Sequence, residues 1–389
     1  MKILAVLSAL DLKYRYGCTP AWWQLLKGLY ENGVEVIATT YQGETVESPW
    51  WRVYPNPCRR EAQAFTYLKN LKQTLIPHSS QEQNRDESLS DKAVRQLAQS
   101  WVKPRWERHL KDILRLEKDI QAIVVFTVPL NHFQGLPAAI KKSSGIPIFY
   151  YDGDVPASLP QFSGFASGFR IYQGADLSEY DGFICNSEGG AKELEKMGAH
   201  RVKTLFWGVD PDYYAPLSIP QDYDVSFYGY GVKYRQEWIE NMLVQPGRQM
   251  PDNAFVIGGQ GFDMDLGAVR AIGDVPLTAF RQFCCRSKIN LNITRAAHAS
   301  VYASSSCRPF ELAAMGCCIV SNPCAGMERW FEPGKEILVV HSADEALETY
   351  QGLLKDANKR RELGQAAKRR VLAEHTTRQR AKELLEYLK

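Results

Sequence analysis

The sequence predicts an α/β protein made of two Rossmann-like domains, each built on a parallel sheet. Three observations lead there. The chain has 389 residues, more than a single hydrophobic core usually supports. Short apolar runs alternate with helical patterns, as a parallel sheet with helices on both faces requires. The alternation then restarts after Pro216-Leu217-Ser218-Ile219-Pro220, a proline-bounded stretch that reads as a linker. The expected domains are residues 1–216 and 217–374, with a terminal helix at about 375–389 packing back on the first.

Composition narrows the function classes. Hydrophobic residues at 45% and charged residues at 23% suit a soluble globular protein. A net charge of +3, with Lys and Arg spread among acidic residues, argues against nucleic acid as a partner. No apolar stretch reaches transmembrane length, which leaves room only for peripheral contact with a membrane. The first ten residues imitate a signal peptide, but Asp11-Leu12-Lys13-Tyr14-Arg15 follows without a small-residue cleavage site. A first buried strand and a cytoplasmic location are therefore expected. Nine cysteines show neither CxxC nor zinc-type spacing, so they read as small buried hydrophobes and no metal site is expected.

The elements follow in order. Residues 2–8 form a strand, and Thr19-Pro20 supplies a helix cap with proline at the first helical position. That helix runs to Asn32-Gly33, and residues 34–40 form the next strand. Residues 77–90 are polar and aperiodic. Residues 90–120 turn helical around Pro104, with Leu97, Trp101, Leu110, Ile113, Leu114 and Leu116 marking an apolar face. Buried strands are expected at 122–128, 146–151 and 182–185, and Ser187 caps a helix ending near Met197-Gly198. In the second half the strand signals fall at 224–229, 254–257, 288–293, 317–320 and 337–340. Residues 343–388 are charged and helical.

The most informative run is Arg308-Pro309-Phe310-Glu311, continuing to a glycine stop at Gly316 and a buried strand. It predicts a helix opening near Pro309 and Phe310. A helix N-terminus offers outward N–H groups and a partial positive charge, a natural seat for phosphate. Arg308 adds a fixed cation, and Glu311 in the first turn can accept hydrogen bonds from a diol such as ribose. Gly229-Tyr230-Gly231-Val232-Lys233-Tyr234-Arg235 follows a strand and opens a helix. Its glycines permit close approach of an anion that Lys233 or Arg235 reaches. Gly258-Gly259-Gln260-Gly261 lacks the full dinucleotide fingerprint and reads as a turn or cleft-lining loop.

The first half offers fewer chemical signals. Asp152, in Tyr151-Asp152-Gly153-Asp154, ends a parallel strand and faces the ligand crevice as a base or sugar-orienting group. A turn or cap aspartate is the alternative reading. His132, just after the strand at 122–128, can titrate near neutrality and is the second catalytic candidate. Tyr16 and Gly17, after the first strand, are candidates for the acceptor side.

Two α/β halves with a nucleotide signature in the second resemble GT-B glycosyltransferases, in which two Rossmann-like domains face across a cleft. The likeness extends over Tyr180-Asp181-Gly182-Phe183-Ile184-Cys185-Asn186-Ser187-Glu188, then Phe206-Trp207-Gly208-Val209-Asp210, features of the glycogen-synthase-like group. Asn290-Leu291-Asn292-Ile293-Thr294-Arg295, the Arg308-Pro309-Phe310-Glu311 motif and His375-Thr376 look most similar to spore-maturation CgeB-like glycosyltransferases. The resemblance covers nearly all of residues 180–389 and is only architectural over 1–120. It implies transfer of a sugar from a nucleoside diphosphate sugar, a UDP-sugar in the first place, to an unidentified acceptor, with no cofactor and no metal. It implies that Glu311 holds ribose. Arg235, Lys233, Arg308, Arg295, Gly229 and the Phe310 helix terminus would serve the pyrophosphate end, and the backbone of Gly273 and Val275 the base. One departure stands out. The group carries a Glu-x7-Glu pair whose second member is Glu311, and its first position falls on Ala303. The stretch from Ala296 to Ser306 also looks longer than the family's loop. A sugar-nucleotide epimerase or hydrolase of this fold, or a non-catalytic nucleotide-sugar-binding protein, stays open beside the transferase.

Overall fold

The computed structural model describes residues 1–11, 21–59, 89–162, 171–230 and 234–389. The described residues fall into two compact units. Met1–Asp11, Leu29–Leu205 and Glu383–Lys389 make up the first, and residues 21–28 with Phe206–Lys382 the second.

The first unit is built on strands β1 (Lys2–Leu7), β2 (Glu35–Thr40), β3 (Arg52–Tyr54), β4 (Ile120–Phe126), β5 (Ile148–Asp152), β6 (Gly182–Cys185) and β7 (Val202–Thr204). They pair in the order β3-β2-β1-β4-β5-β6-β7, each neighbour parallel. Beyond Lys2 every residue of β1 is buried, as expected of a central strand covered on both faces. The helical stretch arrives as Leu89–Leu97, a π-helical turn at Ala98–Val102 and a helix at Lys103–Leu116, with Pro104 in the first turn where its missing N–H is harmless. Its buried stripe is Trp106, Leu110 and Ile113, at i, i+4 and i+7. Leu97, Trp101 and Leu116, expected on that face, are instead exposed. Leu97 precedes Trp106 by nine residues, about two and a half turns at 3.6 residues per turn, Trp101 lies in the π turn, and Leu116 is the last residue of its helix.

The second unit carries β8 (Tyr223–Tyr230), β9 (Phe255–Gln260), β10 (Arg270–Ala271), β11 (Ser287–Asn292), β12 (Ile319–Ser321) and β13 (Leu338–Val339). Their order is β10-β9-β8-β11-β12-β13, again with parallel pairings throughout. The order reverses between β8 and β11, and in open parallel sheets ligands bind beyond the carboxyl ends at such a switch point. Side chains alternate across this sheet. Val225 and Phe227 join one core with Tyr350, while Tyr228 joins another with Phe280, Phe310 and Leu312. The helix Cys307–Ala314 starts before Pro309 rather than at it, because Ser306 is already the extended cap residue. Pro309 thus occupies the third helical position, and Gly316 stops the turn at φ +71°. Among the described residues no helix is long and apolar enough to cross a membrane.

Candidate functional site

In the second unit the motif residues converge on the carboxyl ends of β8 and β11. Arg235 bridges the two strands at the switch point. Its Nε donates to the Ile293 carbonyl at 2.8 Å and its Nη1 to the Tyr230 carbonyl at 2.5 Å. A guanidinium can do this because its fork presents several donors in one plane. Beside it, Arg295 caps the helix Ala296–Ser300, with Nη2 3.4 Å from His298 Nε2. Lys233, like Tyr16 and Gly17, lies outside the described residues.

Glu311 and Arg308 form a second group. They are one helical turn apart, and Arg308 Nη1 donates to Glu311 Oε2 at 2.9 Å. The other carboxylate oxygen accepts from the Tyr214 hydroxyl at 3.1 Å. Burial pushes the Glu311 carboxyl above its ordinary value, against the opposing pull of Arg308 and Tyr214. The Arg308 guanidinium lies over the Phe280 ring at 4.3 Å and the Tyr228 ring at 5.3 Å. Glu311 is 1% exposed and Arg308 19%, so the carboxylate is buried beneath a partly exposed arginine. Phe310 is fully buried, its ring 5.6 Å from Phe331 and 5.3 Å from His375. With the helix starting at Cys307, the outward N–H groups belong to Ser306, Cys307 and Arg308, and the Phe310 side chain is core.

Tyrosines connect these groups. Tyr228 OH lies 3.1 Å from Tyr230 OH and donates to the Val275 carbonyl at 3.3 Å. Tyr230 also donates to Asp274, whose second oxygen accepts from Gln260 at 2.6 Å. The Gly273 carbonyl accepts from Gly259 N–H at 2.7 Å, which fixes the loop at 272–276 against the end of β9. Gly229 and Gly259 are paired across β8 and β9, and a Cβ on Gly259 would stand 1.8 Å from the Gly229 oxygen. On the far side of β11, Asn292 Nδ2 donates to Thr294 and Ser321 at 3.2 and 2.9 Å, and Asn322 accepts from Thr294 N–H at 2.7 Å. These buried amides lock the ends of β11 and β12 together.

The first-unit candidates sit in two separate hydrogen-bonded sets. Asp152 ends β5, is fully buried, and accepts from Ser158 and Tyr172 hydroxyls at 2.5 Å each and from Asp154 N–H at 2.9 Å. Burial raises its carboxyl to about 6 despite those donors. His132 shares a 2.7 Å bond between Nδ1 and Tyr41 OH, and burial lowers its ring to about 4. A neutral imidazole at pH 7 follows from that shift.

Sequence reasoning passed over Tyr214, Tyr228, Tyr230, Asp274, Asn292 and Asn322. Tyr228, Tyr230 and Asn292 lie inside stretches that attracted notice, but the bonds to Val275, Asp274, Ser321 and Glu311 join residues distant in sequence and nothing in the chain itself pairs them.

Residues 235–386 match a protein family described as glycosyl transferase-like. Among solved structures, sucrose-phosphate synthase from Thermosynechococcus elongatus superimposes with a TM-score of 0.65 at 14% identity, covering 99% of this chain and 98% of that one. The Anabaena protein HepE in complex with UDP and glucose gives 0.63 at 11% identity, with 99% and 98% covered. The α,α-trehalose 6-phosphate synthase of Burkholderia multivorans gives 0.61 at 11%, with 100% and 98% covered. No curated protein matches the chain in sequence.

Proposed function

The chain has the GT-B glycosyltransferase fold, and we propose that it transfers a sugar from a nucleoside diphosphate sugar to an acceptor hydroxyl. The observation that carries this reading is the placement of Arg235, Arg308 and Glu311 at the switch point of the second sheet. Two cations and a buried carboxylate suit a ligand with two phosphates and a diol. In this reading Arg308 swings from Glu311 to the diphosphate, and Oε2 of Glu311 turns to the ribose hydroxyls. Arg235, already fixed by two strand carbonyls, receives the other phosphate, and Arg295 stands beside it. Both cations oppose the charge that builds on the departing nucleoside diphosphate, a role that calls for no metal. The base then lies against the backbone of Gly273 and Val275. A UDP-sugar is the donor we favour, since HepE is a structural neighbour described in complex with UDP and UDP-glucose. The acceptor is unassigned. We place the protein nearest the spore-maturation CgeB-like enzymes, and in the cytoplasm. Asp152 and His132 remain our catalytic candidates, and Tyr16 and Gly17 our candidates for the acceptor side.

Ala303, where a carboxylate was expected, favours one competing reading: a protein that binds nucleotide sugar without turning it over. Calorimetry with UDP-, GDP-, ADP- and TDP-linked sugars tests the shared premise, and folded protein that binds none of them would sink it. Donor breakdown or transfer across an acceptor library then separates transferase from binder.

A further inference from the structure

Ala303 has no side-chain oxygen, yet its backbone is held in the left-handed region at φ +49° while fully buried. A non-glycine residue there is strained, and such strain persists only where its surroundings impose it. The surroundings are visible. Ala303 N–H donates to the Ala325 carbonyl at 2.8 Å, and Ala325 N–H to the Ala299 carbonyl at 2.9 Å. Gly326, at φ +83°, packs so closely that a Cβ would fall 2.4 Å from Ala303 N. The connection that follows β11 and the connection that follows β12 are thereby zipped together at the carboxyl end of the second sheet. Beside the zipper an exposed polar side chain of one connection meets one of the other. Tyr302 is 46% exposed, and its hydroxyl donates to Oε1 of the exposed Glu328 at 3.1 Å.

We infer that Tyr302 and Glu328, meeting from two loops, hold the sugar of the donor. The inference rests on the donor reading above and deepens it. The chemistry fits a carbohydrate. A carboxylate accepts strongly from sugar hydroxyls, a phenol both donates and accepts, and its ring offers a flat apolar surface to C–H faces. The location fits as well, because Tyr302 lies six residues before Arg308, in the connection that leads into the phosphate-facing helix end. A pair that merely pinned two surface loops would not need them already locked by backbone bonds and a glycine contact.

The test compares a nucleoside diphosphate with its sugar conjugates by calorimetry on the full chain. The probes are UDP, GDP, ADP and TDP, each free and linked to glucose, galactose or N-acetylglucosamine. The parent is expected to bind one conjugate more tightly than the free diphosphate. Tyr302→Phe and Glu328→Gln should each lower that sugar-dependent advantage about tenfold and leave affinity for the free diphosphate within twofold. Both residues are exposed, so unchanged melting temperatures are expected and would set a loss of fold aside. A parent that binds diphosphate but gains nothing from any sugar overturns the inference. So does an advantage that survives both substitutions, or one lost in equal measure for diphosphate and conjugate. If the parent binds no diphosphate at all, the donor reading itself fails and takes this inference with it.

Discussion

Tyr214 and Glu311 stand 97 residues apart in sequence and 3.1 Å apart in space, hydroxyl to carboxylate. With Arg308 on its other oxygen, the Glu311 carboxylate is held in one orientation in a site that excludes water. In the proposed reading that carboxylate takes the ribose diol, and its two protein partners also make it structural. Glu311→Gln keeps the shape and removes the charge, so it should weaken nucleoside and nucleoside diphosphate binding alike. Hydrogen bonds to a charged group are worth about 1.5–3 kcal/mol, which corresponds to a loss of roughly tenfold or more for each. Calorimetry with both ligands checks this; a variant that loses diphosphate affinity alone would move Glu311 away from the ribose.

Arg235 should behave differently. Arg235→Ala removes a cation from the switch point and leaves the carbonyls of Tyr230 and Ile293 without their present donor. Diphosphate affinity should fall by at least tenfold, with nucleoside affinity nearly unchanged, since no phosphate is present to lose its partner. Arg235→Lys restores the charge but not the fork that spans two strands. It should recover only part of the loss, and parental affinity in that variant would show that charge alone suffices.

How much of this was legible in the chain depends on the range of the interaction. The central strands β1, β4, β8 and β11 announced themselves as apolar runs because both their faces are buried. The edge strands β3, β7 and β10 went unseen, since two or three partly exposed residues carry almost no apolar signal, whereas the edge strand β13 is flanked by the buried Ile337 and Val340. The Arg308–Glu311 pairing is local and follows from helical spacing. The Tyr214 hydroxyl, the Tyr230–Asp274 bond and the Tyr302–Glu328 bridge are tertiary, and no spacing rule brings them together. The apolar face drawn through Leu97 and Trp101 failed for a local reason instead: they lie nine and five residues before Trp106, off its face at about 3.6 residues per turn.

Gly259 sits where the sheet and the candidate site meet. Its φ of +118° is closed to ordinary L residues, and a Cβ would collide with the Gly229 oxygen at 1.8 Å. Gly259→Ala should therefore separate the ends of β8 and β9 and destabilise the second unit by more than about 2 kcal/mol. Gly273→Ala, also at positive φ but with open space around its Cβ, should cost about 1 kcal/mol. Urea unfolding of the two variants measures the contrast, and equal effects would refute the collision as the cause.

The pH dependence of stability offers a test of the buried Asp152. Its folded-state carboxyl is raised to about 6 from an ordinary 3.8, so the native protein binds that proton more tightly than the unfolded chain does. The stability this contributes is fully present below the ordinary value and is lost as pH rises through about 6. A shift of about two units corresponds to roughly 3 kcal/mol for a fully buried group. His132 and His375 act in the opposite sense. Burial lowers them to about 4 and about 3, so their stabilising effect is complete above 6.5 and disappears on acidification through those values. Because the signs oppose, the raw pH profile of the parent is ambiguous, and the informative quantity is its difference from Asp152→Asn. The asparagine cannot ionise, so the stability of the parent relative to this variant should fall by roughly 2.4 kcal/mol between pH 4 and 7. Denaturant unfolding across that range decides the matter, and a difference that stays flat with pH would mean that Asp152 keeps an ordinary carboxyl in the folded protein.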